Sequence, residues 1–525
     1  MLPRSAGILI PLFSLRSRND LGRGEIGHVR AMVDFAIAAG HRVILLLPLD
    51  ETAPSEASPY SAMSLFAIDP LYISGDEIGE SQRKSSTRIG RDRSPRLVPR
   101  SRYVKLKREI LERGFQRFEG RASGRERHAF EDFILENAYW IADYALFRAL
   151  KDRYEFASWE TWPAELAHRE PSALDAARRE LAEPIRKYAW FQFAAHRQWQ
   201  AAREYANSRG VYLGGDLAFS PGRDSAEVWA HREMFSLERS IGTPPDAFAE
   251  KGQRWGLPMP NWEVMRAGRF ALWRSRMRHA ATLYDLVRID HVVGIYRTFS
   301  FDSEPDTPGV FYPEREEDQR AQGESVIRAI QEEARGATII AEDLGTVLPW
   351  VRASLSSLGI GGYKVMQWER EWDTEAKRFI SPREYPEVSL ATTATHDTDA
   401  LKVWWRAQAE SDRAALIAAL ELNGRVSPRA DLIGDRLDAV IEALYAGASR
   451  LAILSIQDLF GWSARINRPG TVRESNWTYR LPMSLDRMAQ SPAIRARQAR
   501  LREIAIRTGR FEEIRPGSSM TSPPS

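Results

Sequence analysis

Short apolar runs bounded by turn residues recur along this chain, at 7–15, 42–49, 211–219, 286–291, 337–343, 362–368, 390–397 and 451–459. Most are continuous stretches of Val, Ile and Leu rather than polar–apolar alternations, the pattern of strands covered on both faces. Between them the period changes. Phe270, Trp273, Met277, Ala281 and Tyr284 recur every three or four residues and predict one face of an amphipathic helix before the fourth run. Residues 325–335 and 437–446 do the same before the fifth and eighth runs. Eight β units alternating with helices predict an α/β fold of the (β/α)8 TIM-barrel class, whose active sites sit at the carboxyl ends of the strands. An open doubly wound sheet is the alternative, but no glycine-rich phosphate loop joins a strand to a helix.

Two gaps are too long for crossover helices. Roughly 160 residues separate the second and third runs, more than a structureless loop inside a compact domain would hold. Residues 134–150 and 184–206 are rich in Ala, Leu, Tyr and Trp at helical intervals, so the reading is a mainly helical insert over 75–207. A second excursion, 220–262, is expected as a loop region over the active site, within one catalytic barrel spanning 1–510. Residues 83–108 are strongly basic, with Asp92 as their sole acid, and read as a mobile solvated loop. The Pro/Ser-rich end, 511–525, is expected to be disordered.

Composition narrows the function classes. A formal net charge of +3 is small against 74 basic and 71 acidic residues, which argues against nucleic acid or an anionic membrane as partner. The chain contains no cysteine, excluding disulfides, thiolate zinc sites and a cysteine nucleophile, and fitting a cytoplasmic location. Arg4 followed by the apolar stretch 7–13 has the outline of a signal peptide, but Pro11 interrupts it and no small-residue cleavage site follows. A buried first strand is the expectation. Nowhere do about 18 consecutive apolar residues predict a membrane span. Oligomeric state is open, with a monomer favoured.

The chemistry lies at the ends of three runs. V-R-I-D-H closes the fourth with Asp290, I-I-A-E-D-L-G the fifth with Glu342, and T-A-T-H-D the seventh with Asp397. A strand-terminal Asp is often only a helix cap. Three such acids in order around one barrel mouth instead form the set needed to cleave a glycosidic bond with retention, a nucleophile and a proton donor about 5 Å apart plus a third acid. Arg288, two residues before Asp290 and on the same side of the strand, would keep that carboxylate ionised while Glu342 keeps its proton. His396 and Asp397 could hydrogen-bond sugar hydroxyls as the ring flattens. His291 and His396 show no metal-ligand spacing, so neither a metal nor another cofactor is expected.

At these residues the chain resembles the 4-α-glucanotransferases of the amylomaltase or disproportionating-enzyme type, glycoside hydrolase family 77. The resemblance also rests on G-I-L-I-P-L-F-S-L at Gly7, S-P-Y-S-A-M-S-L-F-A at Ser58, G-G-D-L at Gly214, D-S-A-E-V-W-A at Asp224 and G-T-P-P-D-A-F at Gly242. G-Q-R-W-G at Gly252, N-R-P-G-T-V at Asn467 and N-W-T-Y-R-L at Asn476 complete it. It implies Asp290 as nucleophile, Glu342 as general acid/base and Asp397 as transition-state stabiliser. It further implies that Asp216, Arg288, His291, His396 and Asn467 line the donor site, that Tyr60 flanks the cleft, and that Gln253 and Trp255 sit in a loop over the bound glucan.

Three runs depart from the family pattern. D-H-F-R-G-F becomes D-H-V-V-G-I, with Val292 and Val293 for the Phe and Arg; T-H-D-N-D becomes T-H-D-T-D; the loop reads G-L-P-M-P-N-W. These changes bear on acceptor preference and on the balance of transfer and hydrolysis, not on the bond attacked. The expected activity is transfer of α-1,4-glucan segments from a donor to the 4-hydroxyl of an acceptor malto-oligosaccharide or glucose, by double displacement. A mainly hydrolytic α-glucosidase or amylase and a non-catalytic glucan-binding barrel are the alternatives.

Overall fold

In the computed structural model the apolar runs become strands shorter than the runs themselves. The strands among the described residues are β1 (Ser5–Leu9), β2 (Val43–Leu45), β3 (Tyr212–Leu217), β4 (Phe235–Thr243), β5 (Gln253–Pro260), β6 (Leu286–Ile289), β7 (Thr298–Asp302), β8 (Val310–Tyr312), β9 (Thr338–Ala341), β10 (Gly362–Val365), β11 (Ser389–Thr392) and β12 (Leu451–Ser455). The structure describes residues 1–18, 20–80, 100–245, 252–302, 307–372, 374–375, 377–471 and 473–512, with the side chains of 100 and 101 excepted.

Eight strands run parallel in the order β10-β11-β12-β1-β2-β3-β6-β9. The ring closes between β9 and β10. Ile340 bridges Gly361 in parallel, and the Ala341 N–H donates to the Gly361 carbonyl at 2.8 Å. Buried Asp343 adds a side-chain link, its Oδ1 accepting from the Tyr363 N–H at 2.7 Å. Every residue of β1, β2, β6, β9, β11 and β12 is buried, as a barrel filled inside and clad outside requires. This is the (β/α)8 barrel that the sequence predicts.

Helices clad the outside. The stripe before β6 becomes helix Ala271–Leu283, which buries Leu272, Trp273, Met277, Ala280 and Ala281. Helix Glu316–Glu332 starts earlier than its apolar stripe suggests, because Glu316, Glu317 and Asp318 form a first turn that complements the helix dipole. The chain between β2 and β3 forms helices Arg100–Arg121, Gly124–Glu136, Ala138–Arg153, Pro171–Glu180 and Ala182–Ser208. A ring cluster of Phe118, Phe130, Trp190 and Phe193 packs the first, second and last of these together. Glu51, just beyond β2, ties them to the barrel by accepting from Tyr144 Oη at 2.5 Å and Arg148 Nε at 2.8 Å, all buried.

Two sequence expectations change. The mobile loop read over 83–108 does not extend to its end, because 100–108 opens helix Arg100–Arg121. Buried Lys107 pairs there with Glu25 at 2.7 Å, so part of the basic run is compensated in the fold. Residues 83–99, like 513–525 of the tail, lie outside the described residues. The region after β3 is also more than a loop. Strands β4 and β5 form an antiparallel pair that β7 and β8 extend into a sheet of order β5-β4-β7-β8. Its register shifts and half-exposed residues erase the two-residue period that would have announced it. No helix among the described residues is long and apolar enough to cross a membrane.

Candidate active site

Asp290 and Glu342 are the first residues beyond β6 and β9, which are adjacent and hydrogen-bonded in register, Ile289 opposite Ala341. The Glu342 N–H donates to the Ile289 carbonyl at 2.9 Å, fixing the two strand ends at one level of the mouth. Asp397 arrives differently. β11 ends at Thr392, and Asp397 stands in the turn that follows rather than at a strand end. Thr398, at the position where the family pattern has Asn, shapes that turn: its Oγ1 accepts from the Thr395 N–H at 3.0 Å and donates to the Thr395 carbonyl at 3.1 Å.

Arg288 organises the charges. Its Nη1 donates to both oxygens of Asp216, at 2.7 and 2.6 Å, and to Asp290 Oδ1 at 2.7 Å, while Nη2 lies 3.9 Å from Glu342 Oε2. Asp290 and Glu342 therefore meet against one guanidinium, which lies over the Tyr363 ring at 5.5 Å. Asp216 is fully buried from β3 and takes a further hydrogen bond from Tyr60 Oη at 2.7 Å. Three carboxyl groups thus share one cation.

Burial pushes the Glu342 carboxyl up to about 8; Arg288 opposes the shift and the charge on Asp290 reinforces it. Glu342 also accepts from the His291 and Leu344 N–H groups, at 2.8 and 3.1 Å, yet burial outweighs these bonds. Glu342, protonated at neutral pH, thus stands beside Asp290 bonded to arginine, one carboxyl able to give a proton and the other held by a cation.

His291 takes the left-handed conformation, φ 46°, and turns the chain from β6 into helix Val292–Tyr296. Its ring meets Trp255 edge-on at 4.9 Å and Phe219 at 5.5 Å, and burial lowers its pKa. Gly294 is required behind it, since a Cβ there would come within 2.6 Å of the His291 ring and 2.9 Å of Phe219. Val292 and Val293 are both buried, so their departure from the family pattern changes packing behind His291. On β5, Trp255 Nε1 donates to Gln253 Oε1 at 3.4 Å.

Across the mouth, Asn467 Nδ2 donates to Asp397 Oδ1 at 2.6 Å, and its N–H donates to the His396 carbonyl at 3.1 Å. His396 Nε2 lies 3.5 Å from Asp397 Oδ2. Tyr60 links the two sides, bonding Asp216 with its hydroxyl and stacking on His396 with ring centroids 5.3 Å apart. Asp290, Glu342, Asp216, Arg288, Tyr60, His291 and Trp255 are thus joined by direct contacts, with Gln253 attached through Trp255. Tyr60 joins them to His396, Asp397 and Asn467.

The structure adds residues that the sequence reading did not single out. Arg465 donates to the backbone carbonyls of Asp397 and, at 2.6 Å, Asn467, and pairs with Asp399 at 2.9 Å. Its signal was its place two residues before Asn467. Buried Asp458 holds both flanks of the Asp397 turn, Oδ2 accepting from Thr393 Oγ1 at 2.5 Å and Oδ1 from the Leu401 N–H at 2.6 Å. Only its position as the third residue of a serine-capped helix, after Ser455, was visible in sequence. Trp477, in the quoted N-W-T-Y-R-L block, packs on Tyr60 at 5.9 Å and His396 at 5.8 Å.

The model of the family described as 4-α-glucanotransferase, glycoside hydrolase 77, matches residues 10–485. The 4-α-glucanotransferase of Thermus thermophilus is 33% identical over 494 residues, covering 91% of this chain and 95% of its own. That of Chlamydia muridarum is 28% identical over 499 residues, covering 92% of each. Among solved structures, the amylomaltase of Streptococcus agalactiae in complex with acarbose superposes with a TM-score of 0.84 at 27% identity, covering 97% of this chain and all of the other. Fold, mouth geometry and these relatives agree: the chain belongs to the 4-α-glucanotransferases of glycoside hydrolase family 77.

Proposed function

We propose that Asp290 is the nucleophile, Glu342 the general acid/base and Asp397 the third acid of α-1,4-glucan transfer in this chain. Asp290, bonded to Arg288, attacks the anomeric carbon, and Glu342 gives its proton to the departing glycosidic oxygen. The donor segment is then held as an ester on Asp290. Glu342, now a carboxylate, takes the proton of the acceptor 4-hydroxyl as that oxygen attacks the same carbon and releases Asp290. Asp397, fixed by Asn467 and beside His396, hydrogen-bonds sugar hydroxyls as charge develops on the ring.

The observation that carries this reading is that two carboxyl groups meet at one guanidinium, Asp290 bonded to it and Glu342 pushed up to about 8. Asp216, Arg288, Tyr60, His291, His396 and Asn467 line the donor side. Gln253 and Trp255 lie in the region 220–262, over the glucan, where Trp255 packs on His291 and keeps water from the ester. In this reading 1–510 is one catalytic barrel and 75–207 an inserted helical unit beside its mouth, acting in the cytoplasm. Product analysis on maltotriose tests it. Glucose together with chains longer than the substrate is the expected result; glucose and maltose alone would establish hydrolysis instead, and binding without products a non-catalytic barrel. Trapping a glycosyl-enzyme on a Glu342 variant should place the sugar on Asp290.

A further inference from the structure

Barrel closure puts β10 between β9, which leads to Glu342, and β11, which leads to Asp397. The loop after β10 is therefore the stretch of rim flanked by the proton donor and the third acid. Its base is tied to the Asp397 turn, with Gln367 Nε2 donating to the Asp399 carbonyl at 3.5 Å. On this loop stands Trp372, which is 59% exposed, whereas the other tryptophans are buried or half-buried.

A single exposed apolar side chain ordinarily calls for no explanation. Trp372, however, is held in place. Its Nε1 donates to the Trp368 carbonyl at 3.1 Å, and the Arg370 guanidinium lies 5.8 Å from its ring. Arg370 is itself fixed, both Nη atoms bonding Asp412 Oδ1 at 3.0 Å and the guanidinium stacking on Phe379 at 3.8 Å. An indole with its polar atom satisfied and its apolar surface presented to water on the rim of a sugar cleft suits the C–H face of a hexose.

We propose that Trp372 is a glucosyl-binding platform on the acceptor side, engaging a neutral α-1,4-linked glucan beyond the unit that reacts. The assignment to the acceptor side rests on Glu342 as proton donor, since the leaving and incoming oxygens both lie at that carboxyl. Longer acceptors gain a contact there that glucose does not reach.

The first test compares transfer from one fixed donor to maltotetraose and to glucose. Trp372→Ala should lower the ratio of the two efficiencies about tenfold, the size of one aromatic contact, and Trp372→Phe should restore most of it. An unchanged ratio overturns the proposal. The second test measures maltoheptaose and maltose binding by calorimetry in an Asp290→Asn background, with and without Trp372→Ala. Loss of the affinity gained by the longer chain supports the platform; an equal gain in both proteins overturns it. Should the wild-type protein only hydrolyse maltotriose, the transfer reading fails while this binding comparison still decides Trp372.

Discussion

Arg288 holds Asp216 and Asp290 at hydrogen-bonding distance and faces Glu342 at 3.9 Å, so single substitutions around it should separate the roles of the three acids. Asp290→Asn should abolish turnover, because the amide cannot form the ester. If Glu342 must carry a proton to act, kcat/KM should fall as pH rises through about 8, where that proton is lost. The same shift predicts a stability effect. A carboxyl near 4.5 in the unfolded chain and about 8 in the folded one binds a proton more tightly when folded, so its contribution is present below 4.5 and is lost as pH rises to 8. Glu342→Gln should therefore gain stability over the wild type progressively from pH 4.5 to 8 and hold that gain above 8. Urea unfolding across this range checks it; a constant difference would mean that Glu342 is not perturbed.

At the level of elements, the segments that carry the site are held by side chains from their neighbours. Asp458, beyond β12, grips Thr393 and Leu401 on either side of the Asp397 turn. Asp458→Ala should lower kcat about 100-fold, the cost of a displacement of roughly 1 Å, with KM affected less. Asp458→Asn, which still offers an acceptor to the Leu401 N–H, should keep most of the activity. The contact between the helical insert and the barrel helix Ala271–Leu283 carries a different liability. His196 and His279 pack 5.3 Å apart among aromatic rings, and burial holds them at about 4 and about 3. Lowered bases destabilise the fold as pH drops below their unfolded value near 6.5, by about 2 kcal/mol per histidine at pH 5. Replacing both with Leu should flatten that acid limb in unfolding measurements. The sequence exposed these elements unevenly. The continuous apolar runs of β6, β9 and β12 were legible because both faces are buried, and Asp290 and Glu342 because each directly follows such a run. The second sheet was not, since β4 mixes buried and exposed residues out of step. Nor was the grip of Asp458 on Thr393, which spans 65 positions and leaves no periodic trace.

The whole molecule depends on how a barrel begun at one end of the described chain is closed near the other. β1 pairs with β12 over five residues in register, and the segment after helix Pro492–Arg507, the last among the described residues, returns to this seam. Arg510 lies there, 1% exposed, with no carboxylate among its hydrogen-bond partners in the described residues. Its guanidinium instead donates to five backbone carbonyls: Tyr445 at 2.6 Å, Ser449 at 2.8 Å, Arg450 at 3.1 Å, and Ser5 and Gly447 at 3.2 Å. These carbonyls belong to the start of β1, to the last turn of helix Asp435–Ala446 and to the turn that leads from it into β12, so one planar side chain gathers both strands at the seam. Arg4, just before β1, reinforces this seam, bonding the Tyr445 and Gly447 carbonyls at 2.9 and 2.7 Å. Arg510→Met would fill much of the space but remove one of two guanidinium forks from these carbonyls, with Arg4 still reaching Tyr445, Gly447 and Ser449 and the Ser5 N–H still reaching Arg450, at about 1–3 kcal/mol for a buried group whose hydrogen bond is lost. A loss of about 1–3 kcal/mol in unfolding free energy is the expected outcome. Arg510→Lys should recover only part of it, because an ammonium point charge cannot span the fork. Since this seam lies at the amino end of the strands, away from Asp290 and Glu342, kcat per folded molecule should stay at the wild-type value. A fall in kcat at unchanged stability would place the seam in communication with the mouth and contradict the separation of fold and site on which a barrel enzyme depends.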